Sequence, residues 1–309
     1  MMIKTDSTLA SRTRPRLAGV VVLYECDADI VDNLSTYADD LDMLVIVDNS
    51  AAPTRAVQER VATHRDAVYI FNGTNLGIAT ALNLGAKWAG DRGADFLLTM
   101  DQDSGFDAVP FRDYRDCVLA LPFLGDLAIA APAFLENAPE TKNYVAIDRT
   151  TVITSGSIIH LANHRRIGPF DEQLFIDEVD HDYCLRAHDL GLRVVELPAV
   201  QLRHRLGQSR AVSVLGRTIR WNVHGPTRHY YMIRNGLYMM SKHRKRHFQY
   251  CLGRLGRLSR TIVAAMILAP QRRERCGMVM RAFRDYHAKR MGGLNKAVSI
   301  ALDGAGLET

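Results

Sequence analysis

The chain has 309 residues, 47% of them hydrophobic, and a formal net charge of +5. No stretch approaches the roughly 18 apolar residues of a membrane-spanning helix, and the longest apolar run, Ile262 to Ala269, is far too short. The five cysteines (Cys26, Cys117, Cys184, Cys251, Cys276) are scattered and odd in number with no CxxC pair, which argues against a disulfide framework or zinc knuckle and for a reducing cytosol.

Residues 1–16 are polar and basic with no apolar core, so they predict a flexible segment and not a signal peptide. Leu17 to Leu23 is a continuous apolar strand, and Asp27 to Tyr37 has helical spacing. A second strand, Met43 to Val47, ends at Asp48-Asn49-Ser50. Pro53 to His64 reads as helix and Ala67 to Phe71 as a third strand. Asn75 can cap a helix over Leu76 to Trp88, and Phe96 to Met100 is a fourth strand. Apolar strands separated by helices predict a mostly parallel α/β sheet covered on both faces, with ligands at the carboxyl ends of the strands.

The second half opens with strand-like segments at Leu127 to Ala131 and Thr151 to Ile159, the latter interrupted by Ser155-Gly156-Ser157. A helix is expected over Val179 to Leu190, with Gly191 at its end, and Leu192 to Leu197 leads through Pro198 to His204. Beyond Gly207 the strand signal is largely gone. Helical patterns follow at Thr227 to His243, His247 to Leu268 and Arg272 to Arg290. Between Arg203 and Arg290 there are 21 Lys and Arg but only 2 acidic residues, so an acidic body carries a basic helical region that should meet something anionic. The expected division is a flexible segment 1–16, an α/β domain 17–207 and a basic α-helical region 208–309.

Three clusters carry chemistry. Asp101-Gln102-Asp103 closes the fourth strand, and two carboxylates one residue apart suit a hard divalent cation with phosphate ligands. A lone DxD is more often an acidic turn, but one at the end of a buried strand favours a site. His204, where the chain leaves the α/β body, could complete a metal site, although a lone histidine is usually structural. Phe175-Ile176-Asp177-Glu178-Val179-Asp180-His181-Asp182 packs four acids into six positions at a helix start. Capping and the helix dipole need fewer, so one of them suits a general base. Asn72 to Ala79 places small residues at a helix N-terminus, which suits either a nucleotide or a plain strand–helix turn.

Taken in order, these segments resemble the family 2 inverting glycosyltransferases of the GT-A fold: Val45-Ile46-Val47-Asp48-Asn49-Ser50; Asn75-Leu76-Gly77 with Asn83-Leu84-Gly85; Asp101-Gln102-Asp103; Ser155-Gly156; Gly168-Pro169-Phe170-Asp171-Glu172; Asp180 to Arg186; and His204. The rhamnosyltransferase branch is the nearest likeness, through Phe175-Ile176-Asp177 and Arg228-His229-Tyr230-Tyr231-Met232-Ile233-Arg234-Asn235. The match covers roughly residues 17 to 246.

The resemblance implies that Tyr24, Asp48, Asn75, Gly77, Asp101 and Gln102 hold the nucleotide sugar, dTDP-β-L-rhamnose or another donor such as UDP-galactofuranose or a UDP-hexose. It implies that Asp101, Asp103 and His204 hold Mg²⁺ or Mn²⁺, and that Ser155 and Gly156 lie on the acceptor side. Most members carry Glu-Asp six to seven residues before a helix arginine. Counting back from Arg186 gives Val179 and Asp180, so the Glu is missing. Asp180 is the expected base, Asp182 its support, and Asp177 its rival. The implied acceptor is a glycan, carried on a polyprenyl diphosphate, and the implied setting is cytoplasmic, with the basic region against the anionic inner leaflet and room for a homo-oligomer. A nucleic-acid partner is not expected: stacking motifs and a recognition helix are lacking, and the acids would repel phosphate.

Overall fold

The computed structural model describes residues 14–26, 29–106, 109–134, 145–204, 209–214, 217–222, 225–268 and 271–294. Most of the expected N-terminal segment, residues 1–13, lies outside them. Four strands form one wing of the main sheet: β1 (Leu17–Leu23), β2 (Met43–Asp48), β3 (Ala67–Phe71) and β4 (Phe96–Asp101). Their order is β3-β2-β1-β4, all parallel. The apolar runs of β1 and β2 are buried at every position, because α1 (Ile30–Ser35) and α2 (Arg55–Ala62) fall on one face and α3 (Ile78–Asp91) on the other.

Beyond β4 the sheet turns mixed. β8 (Ser157–His160) runs antiparallel between β4 and β6 (Leu127–Phe134), and β9 (Arg193–His204) lies parallel to β6. Short β5 (Ser104–Gly105) and β7 (Ile147–Asp148) add to β9. Helices α4 (Phe111–Leu119), α5 (Leu161–Ile167) and α6 (Val179–Asp189) complete the layers.

Strand β9 is longer than its apolar pattern predicts. Its register against β6 slips where Pro132 faces Leu197 but Ala133 faces Gln201. Pro198 has no N–H to give to a ladder, so the strand bulges there. Past the bulge its last residues turn to β5, pairing Arg203 with Gly105 and His204 with Ser104.

The expected loss of strand beyond Gly207 is corrected: β10 (Ser209–Val214) and β11 (Arg217–Asn222) form an antiparallel hairpin. β11 alternates Thr218, Arg220 and Asn222 with Ile219 and Trp221, a pattern that the surrounding basic residues hid. The three basic helices fall where their spacing predicts: α7 (Pro226–His243), α8 (Phe248–Leu268) and α9 (Arg272–His287). They pack together around Tyr230, Tyr231, Ile233, Leu258 and Ala282. No helix among the described residues is long and apolar enough to cross a membrane.

Helix α3 crosses β1 closely at Gly85. A Cβ there would lie 2.2 Å from Val20 Cγ2 and 2.6 Å from its Cβ. An exposed helical Gly→Ala gains about 1 kcal/mol from propensity. Here Gly85→Ala is expected to destabilise by about 1–3 kcal/mol through overpacking, read as a lower urea midpoint.

Candidate active site

The carboxyl ends of β1, β2 and β4 share one edge. Leu23 pairs with Asp48 and Val22 with Asp101, so the two aspartates flank β1, two strand spacings or roughly 10 Å apart. Asp48 is fully buried. Its carboxylate accepts hydrogen bonds from Ser50 N (2.8 Å), from Thr54 N and Oγ1 (3.4 and 3.3 Å), and from the Tyr69 hydroxyl. Burial pushes its pKa up, but these donors outweigh burial and leave it below the usual value. Burial, and then the same contact, push the Tyr69 hydroxyl up to about 12. Asp48 is therefore a pre-oriented anion at the carboxyl edge of the sheet.

Gln102 does more than sit between two acids. Its amide accepts from Tyr24 N at 2.7 Å and donates to Tyr24 O at 3.1 Å, while Asn33 Nδ2 donates to the Gln102 backbone carbonyl. The end of β1 and the turn after β4 are thus clamped together. Tyr24 itself is about half exposed, at 52%. Ser155 Oγ accepts from Asp101 N at 3.2 Å and reaches Ser104 Oγ at 2.8 Å, and Gly156 N donates to Thr99 O. Gly156 has φ +77°, and a Cβ would press on Pro132 and Leu202. Ser155 and Gly156 brace the DxD turn from behind, and β9 brings His204 beside Ser104 in register. Asp101 and Asp103 are half-buried. Two hard carboxylates with a histidine brought to the same turn suit Mg²⁺ or Mn²⁺.

At α3 the small residues make room for protein. Asn75 Oδ1 accepts from Gly77 N at 2.9 Å, and Gly77, at φ +87°, caps the helix. A Cβ on Gly77 would lie 2.6 Å from the Phe175 carbonyl oxygen, which accepts from Ile78 N. Asn49 Nδ2 donates to Gly77 O. The first turn of α3 therefore joins the Asp48 loop to the 175 loop.

The four acids separate sharply. Asp182 is fully buried and meets Arg186 (2.8 Å), Lys242 (2.7 Å) and His243 (2.8 Å). Burial alone would raise its pKa, but these partners hold it far below the carboxylate range. Glu178 is buried beneath Arg254, with His181 and Tyr250 at its edge. Asp177 takes a forked contact from Arg228, 2.7 Å at its closest. Asp180 makes no ion pair among the described residues, and its Oδ1 accepts from His181 N. The α7 and α8 cations separate these acids by pairing with three of them.

The segment that carries them is strained: Phe175, Asp177 and Glu178 all have φ between +63° and +68°. Each such non-glycine residue costs on the order of 1–2 kcal/mol. Asn235, fully buried on α7, donates to the carbonyls of Leu174 (2.7 Å), Ile176 (2.6 Å) and Asp177 (3.2 Å). Arg234 donates to Gln173 O and Gly292 O, and Phe175 stacks on Tyr231 at 5.1 Å. The helix motif is thus a clamp on this loop.

Residues 21–108 match the family model described as Glycosyl transferase family 2. This chain carries a family 2 glycosyltransferase domain. It is 28% identical over 214 residues to the dTDP-rhamnosyl transferase RfbF of Shigella flexneri, covering 64% of this chain and 71% of that protein. Among solved structures it is similar to S. aureus TarS 1-349, with TM-score 0.54 and 14% identity over 88% of this chain and 80% of that one. It is also similar to GalNAc-T7 solved with UDP, GalNAc and Mn²⁺, with TM-score 0.52 and 12% identity over 71% and 47% of the two chains. The fold is GT-A, with additional helices at the C-terminal end.

The roles of Asn235, Arg228 and Arg254, all outside the matched residues 21–108, were not legible in the sequence. Arg228 and Asn235 stood in the Arg228-to-Asn235 segment of the resemblance, but that pattern did not say which carbonyls and carboxylate they hold.

Two outcomes are expected. Asn235→Ala should strip donors from three carbonyls, cost about 2–4 kcal/mol and speed amide exchange across residues 174–181, read by hydrogen–deuterium exchange. Asp182 has a depressed folded pKa, so its stabilisation is present above the unfolded carboxyl value of about 4 and is lost as acid titrates it below that. Asp182→Asn should therefore destabilise at neutral pH by about 3–5 kcal/mol and flatten the fall in stability below pH 4, measured by urea melts across pH.

Proposed function

We propose that this protein is an inverting glycosyltransferase that moves L-rhamnose from dTDP-β-L-rhamnose to a hydroxyl of a growing bacterial surface glycan carried on a polyprenyl diphosphate. The donor reading rests on the similarity to a dTDP-rhamnosyl transferase. The observation that carries the chemistry is Asp180, whose carboxylate alone among the four clustered acids has no ion-pair partner among the described residues.

Asp48 reads the base of the donor, with Tyr24 and the Asn75–Gly77 turn around the nucleoside and the Gln102 clamp holding that edge in shape. Asp101 and Asp103, with His204, would hold Mg²⁺ or Mn²⁺, which when bound neutralises charge on the departing diphosphate. Asp180 accepts the proton of the acceptor hydroxyl as its oxygen attacks the anomeric carbon from the face opposite the diphosphate. The new C–O bond forms as the bond to the diphosphate breaks, giving an α-L-rhamnoside and dTDP. One carboxylate suffices, because the leaving group is already a weak base. Ser155 and Gly156 support the acceptor side by fixing the turn. A lipid-linked acceptor sets the protein at the cytoplasmic face of the inner membrane, held there by its basic helices.

A second donor reading is favoured by GalNAc-T7, a structural neighbour with UDP bound: UDP-galactofuranose or a UDP-hexose in the same site. Thermal shifts separate them, since a ligand stabilises the fold it binds. dTDP with Mg²⁺ or Mn²⁺ should raise the melting temperature more than UDP or GDP; a larger shift with UDP would overturn the rhamnose reading. Asp180→Asn should lower transfer at least about 10²-fold while the dTDP shift persists. Full transfer in a folded Asp180→Asn would remove it as base and point to Asp177.

A further inference from the structure

Helices α8 and α9 leave large apolar side chains in water. On α8 these are Phe248, Leu252, Leu255 and Val263, at 65%, 58%, 39% and 55% exposure, and on α9 they are Met280 and Phe283, at 67% and 40%. At 3.6 residues per turn, Phe248, Leu252, Leu255, Val263 and Met266 all fall within one narrow stripe of α8. Cys276, Met280 and Phe283 form the matching stripe on α9. The stripes meet where Cys276 Sγ contacts Met266 Sδ at 3.2 Å, so they make one band across the hairpin.

The band is framed by charge of one sign. Arg260, Arg272, Arg273, Arg284 and Lys289 are exposed. α8 contains no acidic residue. Within 225–294 the acids are Glu274 and Asp285, and Asp285 is buried.

We propose that this band is the surface by which the protein lies on an anionic bilayer, its apolar stripe in the headgroup boundary and its arginines on lipid phosphates. Two copies joined through this face would instead press two cationic surfaces together, which charge opposes. The proposal rests on the membrane-side acceptor reading and adds where the acceptor meets the site. Arg254 and Tyr250, on the other side of α8 from the band, reach Glu178 and His181. The start of α6 that bears Asp180 therefore sits about one helix diameter, roughly 10 Å, from the lipid surface. A diphosphate-linked sugar in the headgroup layer is thereby brought within about one helix diameter of the base.

The test uses the full chain and vesicles without glycan, so its result does not depend on donor or acceptor. Flotation should recover the protein with phosphatidylglycerol-containing vesicles at low salt and far less with pure phosphatidylcholine. Leu252→Glu with Met280→Glu should cut binding at least about tenfold, and Arg272→Glu or Arg273→Glu about fivefold or more each. Melting temperature and dTDP shift should stay unchanged. No recovery at low salt, or recovery unaffected by these variants, would overturn the proposal. So would a dimer by light scattering that Leu252→Glu with Met280→Glu dissolves, which would make the band a self-association face.

Discussion

The structure turns on the neutralisation of an acidic loop by a basic helical bundle. Asp177, Glu178, Asp180 and Asp182 could not share one loop and helix start, two of them buried, without cations brought close. Arg228, Lys242 and Arg254 supply these from α7 and α8. Removing one partner of such a buried pair leaves an uncompensated charge, far costlier than the pair is stabilising. The helices are thereby bound to the α/β body by electrostatics as well as by packing.

The same contacts hold strain in place. Three left-handed non-glycine residues in four persist because Asn235 satisfies the carbonyls that the unusual backbone turns outward. The loop in turn feeds α3, through Phe175 O and Ile78 N, and α3 abuts the Asp48 loop through Gly77. A continuous set of hydrogen bonds therefore links the Asp48 loop, through the first turn of α3, to the 175–178 loop. Local strain at a site is kept only where the surroundings over-determine it, and here they do.

The basic region has two faces with different tasks. Its inward cations, Arg228, Lys242 and Arg254, are spent on the acidic loop. Its outward ones surround an apolar band. Net charge alone merged these two populations, although the first is short-range and buried and the second is screened by salt.

Much was legible in the sequence. The apolar runs set β1 and β3 to the residue and the apolar period set α7, α8 and α9 to within a few, because strands and amphipathic helices write their packing into neighbouring positions. The order of polar clusters marked the strand ends where Asp48, Asp101 and Asp103 sit. What the tertiary structure decided lies in contacts between distant residues: the slip at Pro198 that sends His204 to Ser104, the hairpin at 209–222, and the use of Gly77 to admit Phe175. Above all it decided among the four acids. Their spacing is a property of the chain, but which of them stays unpaired depends on cations 51 to 76 residues away in sequence, and only folding sets those beside them.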